Sequence, residues 1–177
     1  MQQGHSYFKY PSPMGILNVY FCRRGIYGIS FYDGRKKTND YVHIRACDYT
    51  IYKYIFKELN EYFTGKLKKF EVPIILKGTE FQKKVWTEIM KIPYGEYISY
   101  GEIAKKIASP NAARAVGNAN NSNKLPIIIP CHRVIGSNGD LLGYSGGIER
   151  KKWLLSHEKK YKGSVKYGQR VARQTRA

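Results

Sequence analysis

Cys131, His132 and Arg133 follow one another near the end of residues 125–134, an apolar stretch whose three isoleucines are bracketed by prolines. A lone cysteine is most often a small buried hydrophobe. Its two polar neighbours argue otherwise here, because an apolar core does not take histidine and arginine unpaired. A thiol attacks only as thiolate, and a basic group nearby lowers its pKa. His132 adjoins Cys131 in sequence, which disfavours the direct contact of a cysteine protease and favours a relay through one water. The imidazole would then need a carboxylate to orient it, and Glu158 is one candidate among thirteen acids. The isoleucine run reads as a short, buried, extended segment that delivers Cys131 to a fixed place.

A second feature lies at residues 112–119. Ala112, Ala113, Ala115, Gly117 and Ala119 leave this helical segment almost without bulk, except for Arg114. Small residues let a helix approach a partner closely, and a lone arginine then stands out as a probe. Tight helix–helix packing with a surface arginine is the equal alternative. Ahead of it, Thr79-x-x-Gln82 and Ser99-x-x-Glu102 are capping-box patterns. The first precedes Phe81, Val85, Trp86, Ile89 and Met90 at helical spacing, the second Ile103 and Ile107. Pro93-Tyr94-Gly95 ends the first helix, and Ser109-Pro110-Asn111 makes a turn before the third. Two short helices joined by a tight turn suggest a helix-turn-helix. A last helix spans residues 148–160.

The first third reads as strands at residues 7–10, 15–22 and 25–32, punctuated by turn residues, in an antiparallel meander. Asp48 is placed to cap a helix whose apolar face is Ile51, Tyr54, Ile55, Leu59, Tyr62 and Phe63, with Gly65 at its stop. Residues 66–78 read as a basic linker. The expected organisation is an N-terminal α/β domain at 1–78, a C-terminal domain carrying the site at 79–162, and a basic disordered tail at 163–177.

Composition bounds the partners. The 177 residues are 42% hydrophobic and 25% charged, ordinary for a globular chain. The formal net charge is +18, and residues 159–177 hold seven basic residues and no acidic one. The body therefore stays strongly basic without its tail, which favours a polyanionic partner, most simply nucleic acid. No apolar run approaches membrane-spanning length, and the N-terminus has no secretory h-region. Cys22, Cys47 and Cys131 make an odd count without a CxxC pair, which points to a reducing compartment. No spaced zinc signature is present; a site from Cys22, His43 and Cys47 is the remote alternative.

Ile129-Pro-Cys-His-Arg-Val134 resembles the active-site motif of the O6-alkylguanine-DNA alkyltransferases, which move an alkyl group from guanine onto their own cysteine. Phe81-Gln-x-x-Val-Trp86, Pro93-Tyr-Gly-Glu96, Ser99-Tyr100, Ala113-Arg-Ala-Val-Gly-Asn-Ala119, Asn123, Gly143-Tyr-Ser-Gly-Gly147 and Trp153-Leu-Leu-x-x-Glu158 follow in family order. Together these motifs cover roughly residues 79–158. The resemblance implies an α+β fold. A small N-terminal antiparallel sheet with a helix would precede a mainly helical part with a winged helix-turn-helix-like DNA-binding motif.

By the same resemblance, Cys131 would accept the alkyl group, His132 would activate it through a water, and Glu158 would orient the imidazole. Asn123 would hold the turn carrying the cysteine. Arg114 would fill the space left by a flipped nucleotide, with Ala113 and Gly117 letting its helix sit in the minor groove. Tyr100 would favour extrusion and donate to a ring nitrogen of the leaving guanine. Tyr144, Ser145 and Gly146 would line the pocket, and backbone groups of Cys131 and Val134 would read the base edge. The partner would be double-stranded DNA carrying O6-alkylguanine, with O4-alkylthymine a further substrate. The implied protein is a monomer without membrane, metal or organic cofactor, used up in one turnover. It would be cytoplasmic and nucleoid-associated in a prokaryote, nuclear in a eukaryote.

Three competing functions are disfavoured. Alkyltransferase-like damage sensors lack the nucleophilic cysteine present here as Cys131. Adaptive-response regulators carry an extra cysteine-rich zinc domain, and a cysteine hydrolase would need an oxyanion hole that nothing supplies. Lys124, where many relatives have proline, and Asn121 and Ser122, where a basic residue is frequent, depart from the family pattern.

Overall fold

The structure, a computed structural model, describes residues 6–32, 42–141 and 143–163. The expected tail, apart from Gly163, lies outside them. Strands β1 (Ser6–Ser12), β2 (Gly15–Cys22) and β3 (Gly25–Phe31) form the expected meander. A fourth, two-residue strand, β4 (Val42–His43), pairs antiparallel with β1, giving the order β3-β2-β1-β4. Alternation along the strands sends Phe8, Tyr10, Leu17, Val19 and Phe21 to one face, all buried. That face is covered by α1 (Tyr49–Phe63) through Ile55, Leu59 and Tyr62. Each such side chain contributes about 1.5–3 kcal/mol of burial.

Two details of α1 differ from the sequence expectation. Tyr54 is 52% exposed and not part of the apolar face. Asp48 stands at the N-cap without capping: its carboxylate accepts from Ser6 Oγ and from Arg45 Nε instead. A buried carboxylate is better satisfied by a charged donor and a hydroxyl than by one backbone amide. Gly25, at φ +140°, opens β3 where any Cβ would lie 2.3 Å from the Pro73 carbonyl oxygen. That close approach lets Ile26 N donate to Pro73 O and Ile75 N to Ile26 O, tying the basic linker to the sheet edge.

The second half is mainly helical. Capping boxes at Thr79 and Ser99 are complete, each with both reciprocal hydrogen bonds, and start α2 (Glu80–Met90) and α3 (Tyr100–Lys106). A turn at Ile107–Ala112 leads to α4 (Ala113–Asn121). Trp86 Nε1 donates to the Ala119 carbonyl at 2.8 Å, fixing α4 against α2. Strands β5 (Ile98–Ser99) and β6 (Val134–Ile135) pair in parallel, so the start of α3 sits beside the cysteine segment. Helix α5 (Ile148–Tyr161) is the last element among the described residues. No helix among the described residues is long and apolar enough to cross a membrane.

Candidate active site

The isoleucine run at residues 127–129 is buried as expected but not extended. The chain folds back on itself, with Pro126 bridging Ile129 and Ile127 at φ +78°. The cause is Asn123. Its Nδ2 donates to Ile129 O at 3.0 Å while its Oδ1 accepts from Leu125 N at 2.9 Å, closing the loop from inside. Cys131 then begins a single 3-10 turn, Cys131–Arg133, that leads into β6.

Glu158, on α5, is fully buried and accepts from four residues. His132 Nε2 lies at 2.9 Å, Arg133 Nε and Nη2 at 2.8 Å, the Tyr62 hydroxyl at 2.8 Å and Gly95 N at 3.0 Å. Burial alone would raise its pKa. The hydrogen bonds and charges of His132 and Arg133 outweigh burial and hold the carboxyl well below the usual range. An ionised carboxylate only accepts, so His132 carries its proton on Nε2. Burial, opposed by Glu158, keeps the imidazole neutral. Its Nδ1 is buried without a protein partner among the described residues and is the basic lone pair of the site.

Cys131 is 1% exposed. Burial pushes its thiol pKa up, while Asn123, Lys151 and Tyr144 draw it back. The resting pair is thus a neutral thiol and a neutral imidazole. Lys151 was not singled out by its sequence context. It is fully buried, donates to Val134 O at 2.7 Å, and is pushed down to about 8 by burial, with Cys131 opposing. A lysine seven residues before Glu158 on the same helix was the available signal.

The remaining expected residues divide into two groups. Tyr100, at the start of α3, and Tyr144 face the thiol, and burial raises both hydroxyl pKa values, with Cys131 adding to each. Both stay protonated and can donate. Gly146 is pressed between Phe31 and Tyr144, where a Cβ would lie 2.4 Å and 2.7 Å from their rings, so no side chain fits. Ser145 is exposed beside it. Val134 is buried and its carbonyl already accepts from Lys151, while Cys131 N donates to Ile129 O at 2.7 Å. The Val134 carbonyl oxygen keeps a second lone pair for a ligand, whereas the Cys131 N–H is already used.

Arg114, Ala113 and Gly117 lie on α4, at a distance from this cluster in sequence but on the helix packed against α3. Val116, Ala119 and Asn120 face inward, and Arg114 and Ala115 are exposed. Arg114 has no carboxylate partner among the described residues. No group of three metal-ligating side chains occurs among the described residues, so Cys22, His43 and Cys47 do not assemble.

Family models match both halves. One described as "6-O-methylguanine DNA methyltransferase, DNA binding domain" covers residues 80–160. Another, "6-O-methylguanine DNA methyltransferase, ribonuclease-like domain", covers residues 6–76. A methylated-DNA–protein-cysteine methyltransferase of Methanosarcina acetivorans is 43% identical over 157 residues, which is 86% of this chain and 97% of that protein. Among solved structures, Mycobacterium tuberculosis OGT in complex with DNA aligns with TM-score 0.76 at 42% identity, covering 88% of this chain and 93% of that one. The O6-methylguanine methyltransferase of the same organism aligns with TM-score 0.79 at 39% identity, covering 92% and 97%.

Proposed function

The chain belongs to the methylated-DNA–protein-cysteine methyltransferase family, and on that premise we propose that it repairs DNA by transferring the alkyl group of O6-alkylguanine to Cys131. The single observation that carries this is the pairing of a buried thiol with a neutral imidazole whose tautomer Glu158 fixes.

A thiol that is 1% exposed cannot touch a base stacked inside a duplex. The damaged nucleotide therefore leaves the stack, at a cost of a few kcal/mol. Helix α4 faces the minor groove through its small residues Ala113 and Gly117, and Arg114 takes the vacated place. His132 Nδ1 accepts the Cys131 proton through one water. The thiolate attacks the alkyl carbon in line, the carbon–sulfur bond forms, and the bond to O6 breaks with its electron pair passing to guanine. Tyr100 donates a proton to the leaving base, Ser145 reaches towards the alkylated oxygen, and Tyr144 walls the pocket. Lys151, cationic near neutral pH, favours the thiolate. The thioether product resists hydrolysis, so each molecule acts once.

Intact mass after incubation with a duplex containing one O6-methylguanine tests this, alongside Cys131→Ser. A gain of about one methylene on the unsubstituted protein alone, saturating at one per chain, is expected. Preferential binding of the duplex without any mass change would make the protein a damage sensor.

A further inference from the structure

We propose that the solvent face of the N-terminal sheet binds single-stranded DNA, extending the DNA-directed function to a second surface. The strand alternation that buries Phe8 and Phe21 sends Tyr7 and Tyr20 outward. Four rings then cross the four strands in a row. His43 on β4 stacks on Tyr7 at 6.0 Å, Tyr7 lies 6.3 Å from Tyr20, and Tyr20 lies 6.5 Å from Tyr27 on β3. Tyr20 is 36% exposed.

Cations continue the row. Lys77 Nζ sits 5.6 Å from the Tyr27 ring centroid, and Arg23 and Arg24 form the β2–β3 turn. Two grooves, of about 700 Å³ and 320 Å³, meet here because Tyr27, Ile75 and Lys77 line both. The smaller runs to Arg23 and Arg24 and to Arg45, whose charge is paired with the buried Asp48; the larger runs along β3 to Lys124 and Ser145 beside the Cys131 loop. Among the described residues, no aspartate or glutamate lines either groove. Elsewhere the surface mixes signs, as in the Lys57–Glu61 pair on α1 and the Lys152–Glu149 pair on α5.

Cross-strand aromatic pairs stabilise a sheet by themselves, but sheet stability does not require a rim of one charge. Aromatic platforms alternating with cations are what unpaired bases and their phosphates require. A duplex hides its base faces, so a single strand is the occupant. Such a strand, leading away from the lesion, would follow the larger groove from Lys124 towards Tyr20.

The test uses fluorescein-labelled oligothymidylate of twelve nucleotides, titrated into the full chain and its Tyr20→Ala and Lys77→Glu variants. Each variant should bind about fivefold or more weakly, while methyl transfer to Cys131 from a short blunt duplex stays unchanged. Photocrosslinking with iododeoxyuridine in the same oligonucleotide should label peptides carrying Tyr7, Tyr20 or Tyr27. Unchanged affinity in both variants, with crosslinks confined to residues 100–121, would overturn the proposal. Tighter binding of oligouridylate than oligothymidylate would overturn the assignment to DNA. Should the unsubstituted protein fail to take a methyl group, the transfer function falls and the oligonucleotide result stands by itself.

Discussion

Glu158 Oε1 holds His132 by Nε2 at 2.9 Å, and this bond decides which end of the imidazole can take a proton. Nδ1 is left as the acceptor, in a ring that burial keeps neutral. Replacing His132 with Phe should slow single-turnover methyl transfer by about 10²–10⁴ at pH 7. The gap should narrow as pH rises past the thiol's own pKa, which lies above its ordinary 9.0, because thiolate then forms without a base. Rates measured from pH 6 to 10 would show it; a constant ratio would mean His132 has no part in deprotonation.

Glu158 also ties stability to pH. Its folded pKa is depressed, so its contribution is fully present above the ordinary value of 4.5 and is lost as pH falls below it. His132, kept neutral, adds a loss below its ordinary 6.5, since the unfolded chain takes up the proton first. Glu158→Gln should cost about 3–5 kcal/mol at pH 7. In urea melts the difference from the unsubstituted protein should shrink between pH 5 and pH 2.

Arg114→Ala should slow repair of duplex DNA far more than reaction with free O6-alkylguanine. Parallel rate measurements on the two substrates decide it. Equal slowing would place Arg114 in service of the pocket instead of base extrusion.

Asn123→Ala would leave Leu125 N unpaired in a buried loop and Ile129 O with Cys131 N alone, costing about 1–3 kcal/mol for the orphaned amide. Thermal melting should register the loss, and transfer should slow because Cys131 is no longer held in place.

Lys151→Met removes a cation that favours the thiolate. The pH midpoint for alkylation of Cys131 by iodoacetamide should move upward. An unmoved midpoint would confine Lys151 to holding the Val134 carbonyl.

Local hydrogen-bond signatures were legible in the sequence. The capping boxes at Thr79 and Ser99 close within three residues, so spacing alone reveals them. Asp48 shows the reverse case: the same residue type at a helix start is claimed by Ser6, which lies 42 positions away. The isoleucine run at residues 127–129 has the composition of a strand, but a side chain outside it, Asn123, folds residues 125–129 into a loop. Tyr62 was assigned to a core face, and no local pattern could show its hydroxyl meeting Glu158 across 96 positions. Lys151 was hidden likewise, since a helical lysine normally reads as solvated surface.

That hydroxyl also couples the two halves of the chain. Tyr62 belongs to α1, in the half of the chain that carries neither Cys131 nor the small-residue helix, yet it supplies one of the donors on the carboxylate that aims His132. A chain cut back to exclude the sheet and α1 would lose a hydrogen bond to Glu158 and bare the apolar surface around it. The two halves are thereby interdependent: a substitution at position 62 reaches the imidazole through the single carboxylate that both side chains share.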